Sequence, residues 1–181
     1  MSKILVDTID TRSGTSTLTL GSSNAGTIAL GSGDVQSNFN YPAFNAYLSS
    51  NQNIPNTTYT KVSFSSEFYD TDSAYDTSNY RFTVPSGKAG KYFFTYNLRT
   101  TATFEDEERM IVKLYKNGSG YEFSISELRS SKSSMHMQQT LGIPINLSVG
   151  DYIEVFLYHD EGGTIELHGG ECSFTGYRIG T

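Results

Sequence analysis

The chain has 181 residues and a net charge of −6, with 13 tyrosines, 11 phenylalanines, 17 glycines, no tryptophan and a single cysteine. One cysteine excludes an internal disulfide, the acidic balance without a Lys/Arg cluster argues against a nucleic-acid face, and no apolar run approaches the length of a membrane-spanning helix. Aromatic residues and glycine in this proportion suit pleated sheet and tight turns rather than helix.

In chain order, the first segment stands apart. Residues 1–38 hold no aromatic residue and no proline, and all Phe and Tyr residues fall from Phe39 onward. The opening, MSKILVDTID, is too weakly apolar to be a secretion signal, so the chain is expected to be made inside a cell and to leave, if it does, by lysis. TLTLG at 17–21 returns as TIALG at 27–31, each alternating before a glycine. A segment with so few large side chains cannot build its own core. It is either a disordered tail or a strand-forming arm, and the two alternating runs favour an arm over residues 1–40 that pairs with copies of itself or with a larger assembly.

Residues 41–181 read as all-β. Strands are predicted at AFNAYL (43–48), YTKVSF (59–64), YRFTV (80–84), KYFFTYNL (91–98), RMIVKLYK (109–116), YEFSISEL (121–128), MHMQQTLGIPINL (135–147), YIEVFLYH (152–159), TIELH (164–168) and CSFTGYRI (172–179). Turn signals separate them, among them KNGSG, SVGD and DEGG. Stretches 65–79, 99–108, 129–134 and 160–171 read as exposed loops suited to recognition.

Several strands carry apolar residues on both faces. In KYFFTYNL, Tyr92, Phe94 and Tyr96 point one way, while Phe93, Thr95 and Asn97 point the other. In YIEVFLYH, Tyr152, Phe156 and Tyr158 oppose Ile153, Val155 and Leu157. A two-layer sandwich buries each sheet on one face only, so the second face predicts a further layer, and self-association is the economical one.

The order of motifs resembles the globular head of the complement C1q and tumour-necrosis-factor superfamily. AFNAYL resembles its opening strand. YRFTVPSGKAGKYFFTYNL resembles the family's F-x-x-P-x-x-G-x-Y-x-F signature through Phe82, Pro85, Gly90, Tyr92 and Phe94. VKLYKNG, LSVGDYIEV and SFTGYRI follow in the family's order. Arg178 stands where an apolar residue is usual. The resemblance implies a ten-stranded jelly-roll β-sandwich whose copies form a homotrimer. Phe93, Thr95, Asn97 and Phe174 are then expected at the trimer interface, and the alternation adds Tyr152, Phe156 and Tyr158. MSKILVDTIDTRSGTSTLTLG resembles the opening of structural proteins from marine tailed bacteriophages. It implies a virion protein, a fibre, knob or capsid-decoration head, whose arm holds other virion proteins and whose head meets a host surface glycan or protein. A capsid cement protein and a secreted C1q-like ligand or lectin module are the alternatives.

Catalytic signatures are absent: there is no nucleophile elbow, phosphate loop, paired Cys-x-x-Cys or His-Glu-x-x-His, and no catalytic residue is assigned. No cofactor is expected. Asp70, Asp72 and Asp76 in DTDSAYD form a weak calcium candidate, set against a solvated turn. His136, His159 and His168 read as surface or turn histidines, and Cys172 as a buried small apolar residue. No membrane insertion is expected.

Overall fold

The structure, a computed structural model, describes residues 41–180. The predicted arm over residues 1–40 lies outside the described residues. Fourteen strands follow in chain order. They are β1 (Ala43–Tyr47), β2 (Gln52–Ile54), β3 (Thr60–Lys61), β4 (Ser66–Asp70), β5 (Tyr75–Asp76), β6 (Arg81–Thr83) and β7 (Gly90–Phe104). After β8 (Arg109–Lys116) come β9 (Ser119–Gly120), β10 (Ser126–Arg129), β11 (Met135–Leu147), β12 (Tyr152–His159), β13 (Ile165–Leu167) and β14 (Ser173–Gly180).

They form two antiparallel sheets. In sheet 1 the order runs β2-β13-β7-β14-β1-β4, with β11 also on β7. In sheet 2 it runs β10-β8-β12-β6-β5, with β3 on β12 and β9 on β8. This is the jelly-roll sandwich that the motifs implied. Strand β7 is the hub of sheet 1, pairing β11 over most of its length, β14 through residues 91–97 and β13 at Thr100.

The predicted strands at RMIVKLYK, MHMQQTLGIPINL and YIEVFLYH coincide with β8, β11 and β12. Several predicted elements differ: YTKVSF is a strand only at Thr60–Lys61, and β2 falls where no strand was predicted. KYFFTYNL runs on to Phe104, because Thr100 and Phe104 continue the buried face where the sequence turns polar. The Thr100 hydroxyl sits 3.2 Å from the Ala102 carbonyl and 3.3 Å from that of Met137, so a polar side chain occupies the core at little cost. YEFSISEL is broken at Glu122–Ser124 by a 3-10 turn. There the buried Ser124 hydroxyl accepts the Leu114 N–H at 2.9 Å and donates to the Tyr121 carbonyl at 2.6 Å, pulling the chain out of the ladder. The predicted loop 65–79 contains β4 and β5, and 99–104 belongs to β7.

Between the sheets lies one aromatic core. The Phe44 ring stacks on Tyr75 at 5.0 Å and on Phe82 at 5.1 Å, and meets Phe174 edge-on at 5.0 Å. Phe94 lies 5.8 Å from Phe174. Gly176 makes this packing possible: a Cβ there would stand 2.5 Å from the Phe94 ring and 2.6 Å from that of Phe44. The position needs a residue with no side chain because two rings occupy its space.

Candidate interaction surfaces

Three places on the sandwich carry the side chains that the sequence singled out. The first is the outer face of sheet 1, where Phe93, Thr95 and Asn97 form one row along β7. Phe93 is covered from within the chain. Its ring lies so close over Gly142 of β11 that a Cβ there would meet it at 2.5 Å, it stands opposite Pro144, and its centroid is 5.7 Å from that of Tyr177. Asn97 anchors the row. Its carbonyl oxygen accepts from Gln138 Nε2 at 2.8 Å and Thr140 Oγ1 at 2.9 Å, and its amide donates to the Glu171 carbonyl at 2.8 Å. Toward the β4 edge the face turns aromatic: Tyr47 stacks on Phe68 at 4.4 Å, and Phe68 is 68% exposed. Tyr177 and Ile179 of β14 are exposed as well.

Phe174 does not join this face. It is fully buried in the core, so its assignment to the interface is corrected. In β14 the inward residues are Phe174 and Gly176, while Ser173, Thr175 and Tyr177 point outward. A slip of one residue in reading a strand exchanges its faces.

The second place is the outer face of sheet 2. Tyr152, Phe156 and Tyr158 do point away from the core of their strand, as alternation predicts. They are on the opposite side of the sandwich from Phe93, Thr95 and Asn97, because β12 belongs to sheet 2 and β7 to sheet 1. The residues expected at one interface therefore occupy two opposite faces and the core of one chain, and no single face presents them all. Tyr115 stacks on Phe156 at 3.9 Å, and Tyr59 lies 5.3 Å from Tyr158 and 6.4 Å from Tyr115. Two ion pairs run through this cluster. Lys61 Nζ meets Glu154 Oε1 at 2.6 Å, with the Glu154 side chain 7% exposed, and Lys113 pairs with Glu122. Arg81 covers the Tyr152 ring at 4.5 Å.

The third place is the β10 edge of sheet 2, near β11 of sheet 1. Phe123, in the 3-10 turn, is 82% exposed, and Ile125 and Leu128 are also exposed. In sequence, nothing marks these three as different from core residues. Their burial depends on what packs on the edge of the sandwich. Phe68 was missed for a different reason: SEFYD lacks the alternation that signals a strand.

The carboxylates of DTDSAYD serve separate turns. Asp70 accepts the Tyr75 N–H at 2.7 Å and the Asp72 N–H at 3.2 Å. Asp76 accepts from the side chain of Asn79 at 2.6 Å and from the N–H groups of Ser78 and Asn79, which hold its carboxyl below the usual range. Among the described residues no three His, Cys, Asp or Glu side chains gather around a common point. The reading of His159 as a surface residue is corrected. It is fully buried, with Nε2 2.9 Å from the Ile54 carbonyl and Nδ1 accepting the Glu161 N–H at 3.3 Å. Cys172 is buried, as expected, and burial pushes its thiol pKa up.

Two antiparallel sheets in this order, with aromatic residues between them, define the jelly-roll class shared by complement heads and tumour-necrosis-factor ligands. A family model described as the C1q domain matches residues 43–179, and the chain belongs to that family. Members of the family are non-enzymatic ligand-binding or structural modules. The fold is similar to the globular domain of zebrafish complement 1qA, with a TM-score of 0.53 and 17% identity over 76% of this chain and 97% of that one. It is similar to PRD1 vertex protein P5, with a TM-score of 0.55 and 14% identity over 77% and 96%. Murine APRIL also matches, with a TM-score of 0.55 and 10% identity over 77% and 99%. In sequence, the chain is 29% identical over 112 residues to the uncharacterized protein YqcC of Bacillus subtilis (strain 168), covering 58% of this chain and 29% of that protein's length. Among the described residues, no helix is long and apolar enough to cross a membrane.

Proposed function

We propose that the chain is a non-enzymatic structural protein of a virion, a homotrimeric head that is held to other virion proteins by residues 1–40 and adheres to a host surface through residues 41–181. One observation carries the assembly: apolar side chains remain exposed at two unlike places, the Phe68–Tyr177 side of sheet 1 and the Phe123–Ile125–Leu128 edge. Neither patch has to complement itself. A contact between unlike patches is head-to-tail, and it closes into a ring when the rotation allows. Both patches are then covered in every copy, which removes the exposed apolar surface from water. Thr95 and Asn97 contribute the polar centre of the sheet 1 face, beside Phe93.

The likeness to a vertex protein supports the virion reading, and the start of the chain agrees with it. Three heads on one rigid body turn a weak single contact into useful avidity. The likeness to complement 1qA supports the rival reading, a secreted ligand module. Light scattering on the full chain tests the assembly, with about 60 kDa expected (three chains of 20.0 kDa each). Mass spectrometry of purified particles tests the virion assignment. A monomer at working concentration overturns the first, and absence of the chain from particles overturns the second.

A further inference from the structure

We infer that the outer face of sheet 2 is a platform for a neutral glycan chain, with Tyr59, Tyr115, Phe156 and Tyr158 as its stacking rings. The inference rests on the reading that sheet 1 and the β10 edge are given to assembly, which leaves sheet 2 facing outward. Alternation along β8 and β12 would ordinarily place small polar residues here. Instead four aromatic rings lie within contact range of one another, Tyr59 exposed and the other three half-buried. Tyr59 is 39% exposed, so the cluster is open to solvent at that ring. Burial raises the Tyr59 pKa, and its hydroxyl stays protonated at neutral pH as a hydrogen-bond donor.

Charge selects the occupant. The two lysines among the rings are already matched, Lys61 with Glu154 and Lys113 with Glu122. A polyanion finds no unmatched lysine among the four rings and meets a chain of net charge −6, and Arg81, a further cation of this face, lies over Tyr152 outside the cluster. A polycation finds both carboxylates already engaged. The face therefore complements a ligand without charge that has an apolar side for the rings and hydroxyls for the three phenols. A sugar chain has both: its axial C–H groups lie against aromatic faces, and its hydroxyls exchange hydrogen bonds with the phenols. A sheet surface is open at both ends and accepts an extended polymer.

The test is native electrophoresis of the full chain through gels containing dissolved dextran, amylose or galactomannan, with alginate as the acidic comparison. Retardation by at least one neutral polymer is expected, and it should persist at about 0.5 M salt, where exposed charges are screened. Tyr59→Ala combined with Tyr158→Ala should weaken it by about tenfold, equivalent to roughly 1.4 kcal/mol. Tyr59→Phe, which keeps the ring, should retain most of it. If the double variant does not fold, Tyr59→Ala alone, at the most exposed ring, carries the same test with a smaller loss. The inference is overturned if no neutral polymer retards the protein, if alginate alone does, or if the substituted protein binds unchanged. Light scattering on the same samples keeps the two readings apart. A trimer that ignores neutral polymers removes only the platform, and a monomer that binds them removes only the assembly.

Discussion

The two outer faces of the sandwich look alike in sequence and differ in the structure. Both lie on strands that carry aromatic residues where alternation predicts polar ones. On sheet 1 the central aromatic, Phe93, finds cover within its own chain, over Gly142 and beside Tyr177, and the exposed apolar surface moves outward to Phe68. On sheet 2 the aromatics cover one another, and paired lysines and carboxylates run among them. A two-sided strand therefore has more than one physical explanation. A glycine on the neighbouring strand can accommodate a ring, other rings can shelter it, or a second copy of the chain can cover it.

The strongest test of this contrast is oligomeric state. Phe68→Asp or Phe123→Asp is expected to reduce the solution mass from about 60 to about 20 kDa, because each puts a charge into a contact that assembly dries. Phe156→Asp, on the opposite sheet, should leave the mass unchanged. Trimer loss in the Phe156 variant alone would reverse the assignment of the two faces. Next in size is Phe174→Ala. As a core truncation it should cost about 3–5 kcal/mol in denaturant unfolding while the folded fraction keeps its mass. A small cost with loss of assembly would return Phe174 to the interface.

The ion pairs sharpen the same comparison at lower energy. Lys61→Ala leaves the Glu154 carboxylate nearly buried without its partner, and a loss of about 1–3 kcal/mol is expected from thermal or chemical unfolding. Arg99→Ala removes a pair on the sheet 1 side whose partners are both more than 40% exposed, and below about 1 kcal/mol is expected. Equal costs would show that the two faces are solvated alike. A pH-dependent effect belongs to Asp151, in the turn before β12. The Asn117 amide, together with Lys116 and the Ser148 N–H, lowers its pKa to about 2. A carboxylate with a depressed folded-state pKa stabilises the fold above its unfolded value, and the contribution is lost as pH falls through about 2. Asp151→Asn should therefore be less stable at neutral pH, and the gap should close between about pH 4 and pH 2 on acid titration followed by circular dichroism. A gap that persists at pH 2 would assign the effect to shape rather than charge.

Much of the fold was legible in the chain. Period-two alternation in β12 marked Ile153, Val155 and Leu157 as core residues correctly, since burial on one face is a local property of a strand. The less regular strands were harder. RTTATF after Leu98 reads as a loop because Thr100 is polar, yet its hydroxyl is satisfied by nearby carbonyls. SEFYD reads as a loop because β4 is an edge strand whose aromatics have little core to bury against. The candidate surfaces were legible only in part. The outward residues of β7 and β12 could be read from alternation, but alternation does not say which sheet a strand joins.

By itself, then, the sequence determined the class of the protein: an all-β head with a core of alternating aromatic residues, a separate opening segment poor in large side chains, and the ordered motifs of a C1q domain. Alternation and turn chemistry act over a few residues, so they survive in a one-dimensional record. Only the tertiary structure decided that Phe93 and Phe156 face opposite ways, that Phe174 is core, and that His159 is buried at the end of β12. Each of these depends on contacts between residues far apart in the chain, such as Phe93 with Gly142 or His159 with Ile54, and no local pattern encodes those pairings.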